Sequence, residues 1–259
     1  MDIDITYLHP ESERSVMRIL KILNGVWKLL LDIIFPVRCP VCDDVVPFGR
    51  LICPECVTGF KLVKPPGCLR CGRHLESVEA EYCTDCRSRK HLYTQGRALY
   101  DYRSVATSLY RFKYAGRQEY GTYYAREIAD YLGDAIKGWN AEVLAPVPIH
   151  YKRKHNRGYN QAEVLAKELG KLLEMPVDAG LIKRVKKTVP QKLLDDKQRQ
   201  NNLKKAFKIG RNDVKWKSVI IVDDIYTTGS TIDACASVLL EIGIQKIYFV
   251  ALAIGRELQ

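Results

Sequence analysis

Val219-Ile220-Ile221-Val222-Asp223-Asp224-Ile225-Tyr226-Thr227-Thr228-Gly229-Ser230-Thr231 is the stretch on which the reading of this chain turns. Val219 to Val222 are apolar and β-branched at every position, the pattern of a strand buried on both faces of a parallel sheet. Asp223 and Asp224 follow where such a strand is expected to leave the core. A loop of hydroxyls and glycine comes next, and then Ile232, Ala236, Leu239 and Leu240 at helical spacing. Strand, polar loop and helix start make an anion site, because unpaired backbone N–H groups and the helix dipole face one point. Gly229 lets backbone approach a phosphate without a Cβ, and Thr227, Thr228, Ser230 and Thr231 add hydroxyl donors. Ligands of open α/β sheets bind beyond the carboxyl ends of the strands, where this loop falls. A bare phosphate site would repel two adjacent acids. They make sense facing sugar hydroxyls, or a magnesium ion that bridges them to phosphate. An acidic turn that merely caps the helix is the competing reading.

The stretch resembles the 13-residue signature by which type I phosphoribosyltransferases bind 5-phosphoribosyl-1-pyrophosphate (PRPP), and every defining position matches. The resemblance implies that Asp223 and Asp224 contact the ribose hydroxyls. It also implies that the following residues, Ile225 and Tyr226 through Thr231, line the PRPP site and hold the 5-phosphate, with Mg2+ accompanying PRPP. The implied fold is α/β, a mainly parallel five-stranded sheet over roughly residues 97–259 with 245–254 as its last strand.

Upstream, the strand-like run 142–145 leads into Pro146-Val147-Pro148-Ile149-His150 and a basic cluster, Lys152, Arg153, Lys154 and Arg157. A helical stretch, 159–174, carries Ala162, Val164, Leu165 and Leu169. Strand, loop and helix recur here with cations in the loop. In type I enzymes a loop at this place holds the pyrophosphate, which makes Pro148, Ile149, His150, Lys152, Arg153 and the catalytic candidate Arg157 its counterparts. A second cluster, Lys183, Arg184, Lys186 and Lys187, opens a polar segment to residue 207 with Gln191, Arg199, Asn201 and Asn202. It occupies the place of the flexible loop that closes over PRPP in such enzymes; plain disorder also suits a polar segment of this length.

The nine cysteines divide unevenly: eight precede residue 87 and Cys235 stands apart in the helical run 231–243, where it reads as a small core residue. The eight form four C-x-x-C pairs, Cys39/Cys42, Cys53/Cys56, Cys68/Cys71 and Cys83/Cys86. Two residues between thiolates let both sulfurs of a knuckle reach one metal about 2.3 Å away, and two knuckles complete the S4 shell that favours zinc. The first and third pairs start 29 residues apart and the second and fourth 30, so the segment is an internal repeat of two zinc ribbons. Sequential pairing puts one structural Zn2+ on Cys39, Cys42, Cys53 and Cys56 and another on Cys68, Cys71, Cys83 and Cys86. A crossed arrangement, with the first and third pairs sharing an ion, is the alternative. A module this short cannot fold on apolar burial, so the metal must supply its folding energy.

Composition is that of an ordinary soluble protein: 259 residues, 47% hydrophobic and 27% charged. The net charge of +11 lies in the second part, since residues 1–96 hold 13 Lys/Arg against 12 Asp/Glu. Residues 16–35 are apolar, but Lys21, Lys28 and Asp32 interrupt them, which predicts no transmembrane segment. Asp2, Asp4, Glu11 and Glu13 have the wrong sign for a signal peptide. Val16, Ile19, Leu20, Leu23, Trp27, Leu30 and Ile34 instead recur at helical spacing. The expected organisation is an amphipathic helix in 1–35, a double zinc ribbon in 36–92 and a phosphoribosyltransferase domain in 93–259. Reduced thiols fit a cytoplasmic protein.

From about Phe35 the whole chain resembles the ComF family of bacterial competence-associated proteins. The matching blocks are F-P-x-x-C-P-x-C, P-V-P-I-H, R-G-Y-N-Q-A-E at 157–163, Gln191 with Arg199 and Asn202, and the PRPP signature. The resemblance implies a phosphoribosyltransferase linked to DNA uptake or DNA processing. Acceptor pockets in this fold are built by a variable hood, whose place the zinc module is expected to take. Zinc ribbons and basic loops that could track a phosphate backbone suggest single-stranded DNA as a partner, and the N-terminal region could meet other DNA-uptake proteins such as a helicase. A PRPP-sensing or single-strand-binding protein without turnover is the rival from another class.

Overall fold

The computed structural model describes residues 36–185, 206–211 and 214–255. The expected helix in 1–35 and the loop residues Gln191, Arg199, Asn201 and Asn202 lie outside them. A 3-10 turn (Pro54–Cys56) and the short helix α1 (Thr84–Ser88) belong to the cysteine segments. They are followed by β1 (Gln95–Asp101), α2 (Tyr102–Tyr114), α3 (Tyr120–Gly138), β2 (Val143–Pro146), α4 (Tyr151–Arg157) and α5 (Gln161–Leu173). Then come β3 (Ile182–Arg184), β4 (Phe207–Ile209), β5 (Ser218–Tyr226), α6 (Ser230–Glu241) and β6 (Lys246–Ile254).

The main sheet is parallel throughout, in the order β1-β6-β5-β2. Among the described residues it has four strands where five were expected. Beyond β2 the fifth position shrinks to one bridge at Val177, held by Leu144 N–H to the Pro176 carbonyl (2.9 Å) and Asp178 N–H to the Leu144 carbonyl (2.9 Å). Pro176 has no N–H with which to lengthen that ladder. The polar segment was read as loop from Arg184 to Phe207, yet both of those residues are paired in the antiparallel strands β3 and β4.

β5 shows why a continuously apolar strand was the right signal. Val219 and Ile221 face one core with Ile232, Cys235 and Leu239 of α6. Ile220 and Val222 face a second core built from Leu109 and Phe112 of α2, Tyr124 and Ile128 of α3, and Leu165 of α5. Cys235 is fully buried, as its helical setting predicted.

The two cysteine segments pack on opposite faces of this sheet. Cys39, Val46 and Cys53 form a small cluster of their own, while Leu51, Ile52, Phe60 and Leu62 lie on the α2–α3 side. Cys68, Cys71, Leu75, Cys83, Cys86 and Tyr93 belong to the core on the α6 side. The crossing between them, residues 61–63, runs along the outer edge of β1. There Val63 N–H meets the Leu99 carbonyl and Asp101 N–H the Lys61 carbonyl, both at 2.9 Å, which covers an edge that would otherwise be open.

Candidate functional site

Backbone register places the acids. β2 stays with β5 only as far as Pro146 opposite Val222, whereas β6 follows it to Tyr226 opposite Ile254. The acids therefore do not follow the strand; they lie within its last four residues, with β6 on one side and, among the described residues, no paired strand on the other. Asp224 N–H donates to Asp223 Oδ1 at 2.8 Å. Burial, and then the carboxylate of Asp224, push the Asp223 carboxyl well above its ordinary range, while Lys113 pulls the other way.

Lys113 Nζ sits 2.6 Å from Asp224 Oδ2, and both side chains are largely buried. The R-G-Y-N-Q block holds this lysine in place. Tyr159 Oη and Gln161 Nε2 both donate to the Phe112 carbonyl, and Arg157 stacks 4.6 Å over the Tyr114 ring while donating to its hydroxyl at 2.9 Å. Arg157 thus packs against the end of α2, flanking Lys113. Asn160 caps α5 and donates to the Val147 carbonyl at 3.0 Å, which ties the loop after β2 to the same block.

The basic cluster expected as a loop is the helix α4. His150 caps it through Nδ1, which accepts from Lys152 N–H at 3.3 Å, and Gly158 ends it at φ 82°. Lys152 and Arg153 are exposed on that helix; Pro148 and Ile149 are half-buried and His150 is buried. Arg184 of β3 lies 5.2 Å over the Phe207 ring, within electrostatic reach of Arg153 and Asp223, and burial lowers its pKa.

The loop itself is held from behind by the second cysteine segment. Gly229 has φ 78°, and a Cβ there would come within 2.9 Å of His91 Cε1 and 2.8 Å of the Tyr226 hydroxyl, so glycine is required twice over. His91 Nδ1 bonds Asp233 Oδ2 at 2.8 Å, and Leu92 N–H reaches Asp233 Oδ1 at 2.8 Å. The hydroxyls of Tyr93 and Tyr226 meet at 2.6 Å. Arg73 donates to the Thr227 and Gly255 carbonyls, each at 2.6 Å. Thr228 and Ser230 hydroxyls pair at 2.9 Å, and Ser230 opens α6 with Thr231 next in its first turn. A cleft of about 350 Å³ between residues 88–92 and this loop is lined by Arg89, Lys90, Thr228, Ser230 and Asp233.

The cysteines gather in sequence: Cys39, Cys42, Cys53 and Cys56 in one group, Cys68, Cys71, Cys83 and Cys86 in the other, with every sulfur of a group within 4.8 Å of the rest. This excludes the crossed pairing. Cys42 and Cys53 sulfurs are 3.7 Å apart, as are those of Cys71 and Cys83. A disulfide needs about 2.05 Å. A tetrahedron with zinc–sulfur bonds of about 2.3 Å has edges of about 3.8 Å, so both groups fit structural zinc.

Sequence reasoning missed Lys113, Arg73 and His91. Each acts through a partner far along the chain, so no local pattern marks it. The helical reading of 151–157 was within reach, since Gly158 stands where a left-handed helix end requires glycine.

Comparison with known proteins agrees with both halves. Residues 30–87 match the double zinc ribbon domain and residues 155–258 the phosphoribosyl transferase domain. Competence protein F of Haemophilus influenzae is 30% identical over 226 residues, covering 85% of this chain and 97% of that one. Competence protein ComFC of Bacillus subtilis is 30% identical over 200 residues (74% and 79%), and DNA utilization protein YhgH of Escherichia coli K12 is 26% identical over 209 (79% and 85%). A hypoxanthine phosphoribosyltransferase structure from Staphylococcus aureus aligns over 53% of this chain and 64% of its own, at 13% identity and a TM-score of 0.32. This chain, a double zinc ribbon joined to a phosphoribosyltransferase domain, belongs to the ComF family.

Proposed function

We propose that the chain binds PRPP with Mg2+ at the carboxyl end of β5 and transfers its phosphoribosyl group to an acceptor, in the service of DNA uptake or use. The observation that carries this reading is the continuity of Asp223 and Asp224 with a glycine-hinged hydroxyl loop at the start of α6, beside the cation of Lys113. Asp223 and Asp224 accept hydrogen bonds from the ribose hydroxyls. The loop 227–231 directs backbone N–H groups and hydroxyls at the 5-phosphate. Lys113, Lys152 and Arg153 face the pyrophosphate. In the reaction the C1–O bond to pyrophosphate breaks, the ribosyl centre becomes cationic, and an acceptor nucleophile bonds to C1. Cations fixed near the departing oxygens lower that barrier more than any other group here. Magnesium, bound with PRPP, would offset further charge on the leaving group. The link to DNA follows from the names of the relatives, two competence proteins and a DNA utilization protein.

The reading is tested by titrating PRPP and Mg2+ into the full chain by calorimetry, then tracing labelled ribose-phosphate in a cell extract. It requires saturable PRPP binding and a ribosylated product; no PRPP binding overturns it.

A second reading, single-stranded nucleic acid on the same edge, is supported by exposed aromatics among cations. Tyr110 and Tyr114 are 64% and 60% exposed with ring centres 5.0 Å apart, and Arg157 covers Tyr114. Tyr151, 68% exposed, begins the basic helix α4. Stacking rings beside cations are how unpaired strands are held without sequence preference.

A further inference from the structure

Arg73 lies in the second ribbon, just past the Cys68–Cys71 knuckle, and is 6% exposed. The knuckle fixes its backbone: Cys68 N–H donates to the Arg73 carbonyl at 2.7 Å and Gly72 N–H to the Cys68 carbonyl at 2.8 Å. Gly72, at φ 76°, presses so close to β1 that a Cβ would meet the Gly96 carbonyl oxygen at 3.1 Å. From this fixed base one guanidinium nitrogen reaches the Gly255 carbonyl, and the other the Thr227 carbonyl and Asp85 Oδ2 (3.3 Å). Thr227 and Gly255 are the first residues past the neighbouring strands β5 and β6, where parallel strand carbonyls run out of ladder partners.

The Thr227 contact has a directional consequence. A peptide group is planar and trans, so its C=O and N–H point in opposite directions. Drawing the Thr227 carbonyl toward Arg73 turns the Thr228 N–H away from that guanidinium. The loop itself contains no cation and is flanked in sequence by Asp223, Asp224 and Asp233, while Arg89 and Lys90 line the cleft beside Thr228 and Ser230. With those cations at the mouth of the cleft, the loop's own contribution to holding a phosphate is the aim of its N–H groups.

We propose that Arg73 is a positioning residue by which the second zinc ribbon presets the anion-binding geometry of the 227–231 loop. The inference rests on the reading of that loop as the 5-phosphate site. The second ribbon then belongs to the phosphate site as a working wall, and the first ribbon does not.

The test uses the full chain with Arg73→Met and Arg73→Lys. Zinc content and melting temperature come first, then amide hydrogen exchange over 226–232, then calorimetry with ribose 5-phosphate and with pyrophosphate separately. Expected for Arg73→Met are two zinc ions, loop exchange at least tenfold faster, ribose 5-phosphate bound at least tenfold more weakly, and pyrophosphate unchanged within twofold. Added guanidinium ion should restore part of the lost affinity, and Arg73→Lys should fall between. Parental exchange and affinity in Arg73→Met, or an equal loss for both ligands, overturns the proposal. If Arg73→Met loses zinc or unfolds, Arg73→Lys decides, and parental behaviour there overturns it. Should the parent bind no PRPP, the functional reading fails while the exchange measurement still judges the anchor.

Discussion

Lys113 and Asp224 form an ion pair of 2.6 Å at the end of the sheet, between the last turn of α2 and the third-last residue of β5. The lysine thereby holds the carboxylate that the proposed ribose contact would use. If PRPP binds as proposed, hydroxyls take the carboxylate and the ammonium turns to the pyrophosphate. Lys113→Ala should weaken pyrophosphate and PRPP by about tenfold, the value of a charge-assisted hydrogen bond, and leave ribose 5-phosphate bound at least as well. Calorimetry with the three ligands reads this directly.

The two zinc groups should behave unequally. Cys42 is exposed and its group packs around a small cluster, whereas Cys71 is fully buried in the main core. Elemental analysis of the reductively purified parent should find two zinc ions. Cys42→Ser should retain one and bind PRPP within about threefold of the parent. Cys71→Ser should lose the melting transition of the whole domain, since structural zinc is worth about 10–16 kcal/mol in small modules. Equal consequences for the two variants would contradict the packing described.

Asp223 sets a pH dependence. Its carboxyl is held above the ordinary range by burial and Asp224, so the folded chain keeps a proton that the unfolded chain gives up. Stability therefore falls as pH rises from the ordinary carboxylate range, about 4, through the raised value. Asp223→Asn should melt a few degrees above the parent at pH 7–8, with the gap closing near pH 4. A parent that is the more stable at pH 7–8 would contradict the assignment.

Single-stranded DNA gives a separate readout. If Tyr110, Tyr114 and the basic helix α4 hold it, Tyr114→Ala should cost about tenfold at constant salt. Reversing the charge of Lys152 and Arg153 should instead flatten the dependence of affinity on salt. PRPP should compete. DNA affinity unchanged by Tyr114→Ala and by saturating PRPP would place any binding elsewhere.

What the sequence made legible was local. Val219–Thr231 carries its strand, acids, loop and helix within 13 residues, and the C-x-x-C knuckles carry their metal geometry in their spacing. The sheet was legible from continuous apolar strands, but its width was not, because Pro176 cuts the fifth position to one bridge. Arg157 read as a pyrophosphate ligand because cations near a loop suit one; nothing local says that it stacks on Tyr114, 43 residues earlier. Arg73 and Thr227 are 154 residues apart, and only the packing of the ribbon against the loop brings them together.

The central claim is that Asp223 and Asp224 read a ribose, and replacing both by Asn tests it most directly. Asn keeps size and hydrogen bonding and caps a helix about as well as Asp, so a merely structural pair would leave ligand affinity untouched. If the carboxylates hold ribose hydroxyls or a bridging magnesium, PRPP affinity should fall about a hundredfold or more. Inorganic phosphate, which needs only the loop 227–231, should bind as well or better once the carboxylate charge beside that loop is gone. Calorimetry of the parent and the double variant with both ligands separates the outcomes. Equal PRPP affinity in the two proteins would contradict the assignment and the function built on it.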